Sequence, residues 1–457
     1  MRGLLLYERI ANAQAEFRLN NSGTKQPSPP KIIPRADHTV SRDEFSKSAL
    51  KVLYRLHKAG YQSFLVGGCV RDAMLELHPK DFDVATNATP EEVRALFSNC
   101  RLIGRRFRLA HVRFGREIIE VATFRAAANH ADDDHAHDEA GRIVRDNVYG
   151  TIDEDVWRRD FTCNSLYYNI ADFSIWDYTG GVEDIRQRHI VLIGDPDKRL
   201  REDPVRMLRA VRFAAKLDFT IDDTVVEAIR QDRPLLANVP AARLFDEFLK
   251  MFQSGHAEQT FELLREHDLF SLLFPATDEE LNKDETYLEF VRAALRNTDK
   301  RVRSDQSVTP MFLIGVFLWK PVLRLAELRR SQEKMSESQS LSLAAYELGS
   351  QQQRRIAIPR RFTVPMREML ALQPRFAQTR GKRALKLLQH RRFRAAYDFM
   401  MLLASVGEFD DETAQFWTRV QGESAEQRAA SFQISAAKQG RRRRRRRRKP
   451  SQAKTSS

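Results

Sequence analysis

Two aspartates separated by a single residue are the side chains in this sequence whose spacing most directly indicates chemistry. Asp81 and Asp83 flank Phe82 at the start of an apolar stretch that reads as a β-strand. Because side chains alternate along a strand, both carboxylates should leave one face while Phe82 turns toward the core. Paired carboxylates attract Mg²⁺, which keeps positions open for water and phosphates. Two such ions, about 3.5 to 4 Å apart, would align an attacking hydroxyl with a leaving pyrophosphate.

A double glycine shortly before the aspartates supports this interpretation. Residues 62–66 read as a buried strand, Gly67 and Gly68 follow directly, and residues 70–77 read as a helix. Glycine lets the backbone approach a triphosphate closely, because no Cβ blocks the ligand and a positive φ costs little. Acidic triplets also occur on solvated loops that bind nothing, but the apolar strand and the glycine turn favour catalysis here.

A third carboxylate could join the pair from the stretch EIIEVATFR. Glu120 would lie beside Asp81 and Asp83 if its strand pairs with theirs, as a metal ligand or base. The alternative is an ion pair with an arginine at the rim of the site.

The stretch WRRDFTCNSL contains Arg158, Arg159, Asp160 and Asn164 before an apolar run. Two arginines beside an acid could bind phosphates and ribose through charge-assisted hydrogen bonds. The alternative is an ordinary charged helix start with Asp160 as its cap.

A further candidate pair lies in REDPVRMLR. Pro204 at the first helical position and Asp203 as N-cap would place Asp203 and Arg206 side by side at a helix start. Such an acceptor and donor could read the polar edge of a base without a template. A surface salt bridge is the alternative.

The spacing of apolar residues predicts a first part of the chain with both strands and helices, which we call the head, followed by a part with helices alone. Ser41 and Glu44 form a capping-box pattern that opens a helix, and Thr89 caps another that ends near Asn99. Strands at 110–114 and 118–124, separated by a turn signal, should form an antiparallel hairpin. Beyond residue 203, helices are predicted at 203–217, 240–253, 259–266, 311–328 (kinked or broken at Pro321) and 382–403.

Composition indicates a folded protein with basic, disordered ends. The 457 residues should form two or three domains. Residues 441–457 carry +10 of the net charge of +14, so the other 440 residues carry +4. This run should bind polyanions without sequence preference. Arg105, Arg106 and Arg108, with Phe107 and His111, suit phosphate contact and stacking, or form a charged loop that leads into a strand. The acidic, histidine-containing loop 130–141 reads as a mobile loop rather than a metal site.

Cysteine usage and hydropathy bear on location. Cys69, Cys100 and Cys163 are odd in number and lack metal-site spacing, which favours a reducing compartment, the cytoplasm. The longest strongly apolar stretch, residues 311–319, is about half of what a bilayer-spanning helix needs. We therefore expect no transmembrane segment.

Three stretches together, LVGGCVRDAMLELHPKDFDVAT, RRDFTCNSL and REDPVRMLRAVRFAAKL, resemble the class II nucleotidyltransferases. That superfamily comprises bacterial poly(A) polymerases and CCA-adding tRNA enzymes. LIGRRFRLAHV, PAARLFDEFLKMFQSG, GKRALKLLQHRRFRAAYDFM and the arginine run are similar to the poly(A) polymerase branch.

The resemblance implies roles for the candidate residues. Asp81 and Asp83 would bind the two Mg²⁺ ions, with Asp160 as a further active-site acid. Nucleotide contacts are implied for eight residues: Gly67, Gly68, Arg71 and Asp72 at the triphosphate, Arg159 and Asn164 at the nucleotide, and Asp203 and Arg206 at the base.

The resemblance also implies an α+β fold with a small nucleotidyltransferase head on a short twisted mixed sheet, then a helical neck and body. We place a disordered leader at 1–40, the head at 41–190, the neck at 191–270, the body at 271–430 and a disordered basic tail at 431–457. The neck would bind nucleotide and RNA, and the body RNA.

The implied activity is addition of AMP from ATP to RNA 3′ ends, releasing pyrophosphate, by a cytoplasmic monomer with RNA-decay proteins as partners. Two alternatives stay open at this point. One is a CCA-adding tRNA nucleotidyltransferase, since the base-reading pair serves both enzymes. The other is a non-catalytic RNA-binding protein that uses its arginine tail.

Overall fold

The computed structural model describes residues 29–104, 108–126, 135–137, 143–146 and 148–433. Several predictions from the sequence lie outside these residues: the disorder of residues 1–28 and of the arginine tail from 434 onward, the roles of Arg105, Arg106 and Phe107, and the side chains of the loop 130–141.

An eight-stranded mixed sheet forms the centre of the head, in the order β1-β10-β9-β2-β3-β6-β5-β4. Its pairings are antiparallel except that β3 runs parallel to β6. Two further pairs, β7 with β8 and β11 with β12, form two-stranded sheets of their own. The strands of the described residues are β1 (Lys31–Ile33), β2 (Ser63–Val66), β3 (Asp83–Thr86), β4 (Cys100–Ile103), β5 (Leu109–Phe114), β6 (Glu117–Thr123), β7 (His135–His137), β8 (Ile143–Asp146), β9 (Tyr167–Asn169), β10 (Ile175–Asp177), β11 (His189–Ile190) and β12 (Thr220–Ile221). The predicted mixed head sheet is confirmed, and so is the antiparallel hairpin predicted at 110–114 and 118–124, which the structure places at β5 and β6.

Helices dominate the chain after the sheet, as the α+β prediction requires. They are α1 (Lys47–Lys58), α2 (Gly68–Met74), α3 (Pro90–Leu96), α4 (Ile152–Val156), α5 (Gly181–Gln187), α6 (Pro196–Glu202), α7 (Val205–Leu217), α8 (Asp223–Asp232), α9 (Ala241–Phe252), α10 (Ala257–Glu266), α11 (Phe270–Leu273), α12 (Pro275–Leu281), α13 (Glu285–Arg303), α14 (Pro310–Glu333), α15 (Glu337–Ile356), α16 (Arg360–Ala371), α17 (Gly381–Leu388), α18 (Phe393–Ser405), α19 (Asp411–Gly422) and α20 (Ala425–Ser431).

The predicted leader is wrong in its last part. β1 pairs with β10 and so extends the edge of the sheet. Ile33 and Val40 are buried, which shows that residues after 30 contribute apolar surface to the head. Pro30 and Pro34 flank β1, and prolines are compatible with an edge strand.

Local signals placed several helix boundaries wrongly. The Ser41 capping box closes a 3₁₀ turn, and α1 begins after a second cap, where Ser46 accepts a hydrogen bond from the Ala49 amide. α14 continues through Pro321 as one helix, so the predicted break at that residue is absent. The predicted helix at 382–403 is two helices, α17 and α18, because residues 389–392 form a turn.

The chain divides into two compact units. The first comprises the described residues up to Asp284 together with Arg292–Pro310 and Ser350–Pro359, and it contains the head sheet. The second comprises Glu285–Val291, Met311–Gly349 and the described residues from Arg360 onward. The boundaries given above between head, neck, body and tail remain predictions.

Aromatic side chains form the core of the second unit. Phe399 contacts the rings of Phe290, Phe312 and Trp319 at centroid distances between 5.2 and 5.8 Å. Trp417 is fully buried and donates its indole N–H to the Phe376 carbonyl at 2.8 Å. Within the described ranges, no helix is both long enough and apolar enough to span a bilayer.

Candidate active site

Asp81 and Asp83 alternate with a buried residue, as their spacing predicts. Both aspartates are exposed, whereas Phe82 is 7% exposed and meets the Phe45 ring edge-on. β3 begins at Asp83, so Asp81 precedes the strand instead of lying within it. Phe82 fixes the backbone between the two carboxylates because its ring is held in the core.

Glu120 lies next to Asp83 across the parallel pair β3 and β6, where the two residues are in register. The pairing on which its predicted role depended is therefore present. On the other side of Glu120, in register on β5, His111 Nε2 lies 3.2 Å from its Oε1. Three adjacent strands thus align His111, Glu120 and Asp83.

The three carboxylates lie close enough to repel one another. Desolvation, together with the negative charges of Glu120 and Asp81, raises the pKa of Asp83 to about 6, and the positive charge of Arg159 opposes this rise. Although Asp83 is exposed, protein atoms surround its carboxylate closely enough for burial to be the largest cause. A cation bound between the carboxylates would relieve this repulsion.

This donor set suits Mg²⁺. Among the described residues, no three His, Cys, Asp or Glu side chains converge closely enough to hold an ion by themselves. Mg²⁺ does not require such a cage, since it is usually held by one or two carboxylates together with waters and substrate phosphates. Asp81, Asp83 and Glu120 supply only oxygen, the ligand that hard cations prefer.

The glycine turn joins β2 to α2. Gly67 has φ 79° and ψ −132°, a conformation open to glycine. A Cβ there would lie 3.5 Å from the Asn164 carbonyl oxygen and 4.0 Å from Arg159 Nη1. The turn therefore lies against the RRDFTCN segment, and β2 brings it beside the aspartates because Val66 pairs with Asp83.

Arg71 and Asp72, which follow the glycine turn, form hydrogen bonds and ion pairs with neighbouring protein residues. Arg71 is 2% exposed, and its Nε donates to Asp72 Oδ1 at 2.9 Å while Nη1 donates to Asn164 Oδ1. Lys216 Nζ lies 3.2 Å from Asp72 Oδ2. The donors of Arg71 are thus directed at protein acceptors. This arrangement favours a positioning role over the direct triphosphate contact that the resemblance implies.

Arg159 is held by two partners. Its Nε donates to the Tyr167 hydroxyl at 2.8 Å and its Nη2 to Asp155 Oδ2 at 2.9 Å, and the Tyr167 hydroxyl donates to the same Asp155 oxygen. Burial alone would lower the pKa of Arg159, but Tyr167 and Asp155 together raise it. The side chain is therefore a fixed cation that acts on Asp83.

Asp160 contacts α7 through Arg209. Its Oδ2 accepts a hydrogen bond from Arg209 Nε at 2.7 Å, and its Oδ1 accepts one from the Phe161 amide at 2.8 Å. Burial would raise the pKa of Asp160, but Arg209 and these hydrogen bonds lower it. The alternative prediction of Asp160 as a helix cap is wrong, because the following 3₁₀ turn starts from Phe161 without a side-chain cap.

Asp203 and Arg206 are each fixed by other residues. Asp203 is the C-cap of α6, and Pro204 occupies the N-cap of α7, so the predicted cap is wrong by one residue. Arg243 donates to both carboxylate oxygens of Asp203, at 3.0 and 2.9 Å. Arg206 Nη1 donates to the Arg199 carbonyl at 2.6 Å.

The sequence analysis missed a charged stripe on α7. Arg209, Arg212 and Lys216 lie on one helical face and contact Asp160, Glu247 and Asp72 respectively. Phe213 lies under the guanidinium groups of Arg71, Arg209 and Arg212. The spacing of three, four and seven residues was a usable signal, but the acidic partners come from distant segments.

Comparisons with known proteins identify the family. Three family models match: "Poly A polymerase head domain" at residues 63–191, "Probable RNA and SrmB- binding site of polymerase A" at 218–281, and "Polymerase A arginine-rich C-terminus" at 333–450. Poly(A) polymerase I of Salmonella typhi is 47% identical over 397 residues, which cover 85% of each chain. Poly(A) polymerase I of Escherichia coli O6:H1 is 49% identical over 380 residues, 82% of each chain.

Solved structures agree at the level of the fold. A Thermotoga maritima CCA-adding enzyme complexed with tRNA matches with a TM-score of 0.52 and 18% identity, covering 85% of each chain. The identities to poly(A) polymerase I, the head match and the arginine-rich match do not favour the CCA-adding or non-catalytic alternatives. The chain belongs to the poly(A) polymerase I family.

Proposed function

We propose that this chain transfers AMP from ATP to the 3′-hydroxyl of RNA without a template and releases pyrophosphate. The observation that carries the proposal is the alignment of Asp83 with Glu120, and with Asp81 two residues away, next to the turn at Gly67. Family membership supports the same reaction.

The carboxylates would bind metal ions, and the turn at Gly67 would bind the phosphates. Asp81 and Asp83 would hold Mg²⁺, with Glu120 as a third ligand. The bound ions would supply the alignment of the 3′-oxygen with the α-phosphorus and stabilise the leaving charge. Gly67 lets phosphates approach the backbone closely, since it has no side chain and adopts a positive φ of 79°. Asp83 has to lose its proton before it can bind an ion.

Positioning falls to residues fixed by the protein. Arg159 would face the nucleotide as a cation held by Tyr167 and Asp155. Asp203 and Arg206 would read the base, with Arg243 holding Asp203 in place. Preorganised donors of this kind need no rearrangement when charge develops, which lowers the barrier.

The cellular setting follows from weaker observations. Three free cysteines suit a reducing cytoplasm, where we expect a monomer acting on RNA 3′ ends with RNA-decay proteins as partners. The arginine run supports nonspecific RNA binding.

Nucleotide-by-nucleotide extension of a generic A-ended RNA tests the function. Each NTP is supplied separately with Mg²⁺, and a tRNA lacking its CCA end serves as the second substrate. Long extension of the generic RNA from ATP alone is the expected result. Addition of three nucleotides to the tRNA that requires CTP would support the CCA-adding alternative instead, and no extension of either RNA would contradict the proposal.

A further inference from the structure

A row of polar side chains crosses four adjacent strands of the head sheet. Arg101 on β4 is in register with His111 on β5, His111 with Glu120 on β6, and Glu120 with Asp83 on β3. Residues in register on neighbouring strands project from the same face of a sheet. The proposed function uses Glu120 and Asp83 and leaves His111, their neighbour in this row, without a role.

The register of β5 holds His111 on this face. Ala110 and Val112, on either side of His111, are fully buried, and the residues on either side of Glu120 are buried as well. Side chains alternate between the two faces of a strand, so turning His111 away would expose its apolar neighbours. The backbone therefore keeps the imidazole beside Glu120.

A hydrogen bond joins the two side chains. His111 Nε2 lies 3.2 Å from Glu120 Oε1, and because an ionised carboxylate only accepts, the imidazole donates from Nε2. Within the described ranges, no other group is hydrogen-bonded to the Glu120 carboxylate. The side chain of His111 is 22% exposed and that of Glu120 is 48% exposed. The more confined ring thus fixes one oxygen of a flexible, exposed side chain.

The carboxylate that His111 holds is close enough to act on Asp83. Burial is the largest cause of the raised pKa of Asp83, and the charge of Glu120 comes next, ahead of the charges of Arg159 and Asp81. Glu120 in its His111-bound orientation therefore acts on Asp83 more strongly than Asp81 does. Its second oxygen, Oε2, has no hydrogen-bond partner among the described residues and can accept a cation.

We propose that His111 is a positioning residue that orients Glu120 toward the metal ions of the active site. The proposal rests on the proposed function, in which Glu120 is the third ligand. His111 would hold Oε1 and leave Oε2 to the cation, so that Glu120 enters the site in one conformation. Hydrogen-bond partners of metal ligands typically contribute about 10- to 100-fold to metal affinity or activity.

Mn²⁺ titration of the full, nucleotide-free chain tests this proposal, with the free ion followed by electron paramagnetic resonance. Mn²⁺ suits the same oxygen ligands as Mg²⁺. Binding that persists in the Asp81→Ala/Asp83→Ala protein is assigned to other parts of the chain and subtracted. Calorimetry without metal verifies that each variant is folded.

Two polar substitutions at His111 differ in whether a donor can reach Glu120. Asparagine is too short, so His111→Asn should weaken Mn²⁺ binding at the site at least about tenfold. Glutamine places its amide nitrogen near the position of Nε2, so His111→Gln should restore most of the affinity. His57→Asn, the same change at an exposed histidine of α1, is the matched control and should bind Mn²⁺ as the wild type does.

Glu120→Ala decides whether His111 acts through Glu120. In this background His111→Asn should cause no further loss, because the side chain that it orients is absent. A full second loss in the double variant would overturn the proposal, as would unchanged Mn²⁺ binding in either single variant. Equal losses in His111→Asn and His111→Gln would indicate a structural role for the ring and would also overturn it.

AMP incorporation by the same samples separates this proposal from the proposed function. His111→Asn should need at least about tenfold more Mg²⁺ for its half-maximal rate, while saturating Mg²⁺ restores most of that rate. Wild-type protein that extends RNA, together with an unchanged Mg²⁺ requirement in His111→Asn, refutes the positioning role alone. Wild-type protein that fails to extend RNA refutes the proposed function.

Discussion

At the scale of single residues, the ionised form of Asp83 lowers the stability of the folded protein. Its pKa of about 6 lies above its ordinary value of 3.8, because burial and two neighbouring carboxylates disfavour the charge. Between these values the folded chain holds a proton that the unfolded chain releases. The free energy of unfolding therefore falls as pH rises through that window.

Asp83→Asn should consequently stabilise the metal-free protein at pH 7.5. We expect Tm to rise by about 1 to 2 °C, since solvent screening of this exposed carboxylate keeps the gain below about 1 kcal/mol. The difference should shrink at pH 4, where Asp83 is protonated in the folded state. Calorimetry at both pH values measures it, with exposed Asp37→Asn as control. A less stable Asp83→Asn protein at pH 7.5 would contradict this account of the carboxylates.

Asp160 should behave as a structural anchor. Its ion pair with Arg209 is largely buried, so Asp160→Asn leaves a cation without its partner and should cost about 2 to 4 kcal/mol of unfolding free energy. Denaturant unfolding measures the loss, and adding Arg209→Met should recover part of it. If Asp160 were instead a metal ligand, Asp160→Asn would retain normal stability while losing AMP incorporation.

At the scale of elements, the turn between β2 and α2 determines how closely a nucleotide can approach. Gly67→Ala forces an L-residue into φ 79° and ψ −132°, which should cost about 1 to 3 kcal/mol and raise KM for ATP. Gly60 also has a positive φ, of 90°, but lies in open space, so Gly60→Ala should lose stability without a change in KM. Steady-state kinetics decide, and an unaltered KM in Gly67→Ala would argue against the turn as a phosphate site.

Elements were predictable from the sequence where the signal is local. The alternation at Asp81, Phe82 and Asp83 and the hairpin turn at Gly115 follow from neighbouring residues, and the structure contains both. The parallel pairing of β3 with β6 joins segments far apart in sequence. The sequence therefore predicted that Glu120 lies beside the aspartates only if these two strands pair. The partners of Asp160 and Asp203, which are Arg209 and Arg243, could not be predicted from the sequence for the same reason.

At the scale of the whole molecule, the core of the second unit includes Phe432, a residue of the predicted tail. Phe432 is fully buried, with its ring 5.8 Å from that of Trp417. A deletion of the tail that begins at 432 would therefore remove part of the core.

Ending the chain after residue 433 removes the arginine run while keeping Phe432. This truncation should weaken RNA binding and flatten its dependence on salt, because fewer counterions are released, yet turnover should persist. Binding titrations at several salt concentrations measure the slope, and a version ending after 431 controls for loss of Phe432. An unchanged slope would exclude the tail from RNA binding.

The central claim is that Asp81 and Asp83 together carry AMP transfer. Its most direct test is single-turnover incorporation of labelled ATP into an RNA primer by Asp81→Ala, Asp83→Ala and the exposed control Asp37→Ala, with folding verified by circular dichroism. We predict a loss of at least about a thousandfold, roughly 4 kcal/mol of barrier, in the first two and near wild-type rates in the control. Incorporation at the wild-type rate by either Asp81→Ala or Asp83→Ala would contradict the claim.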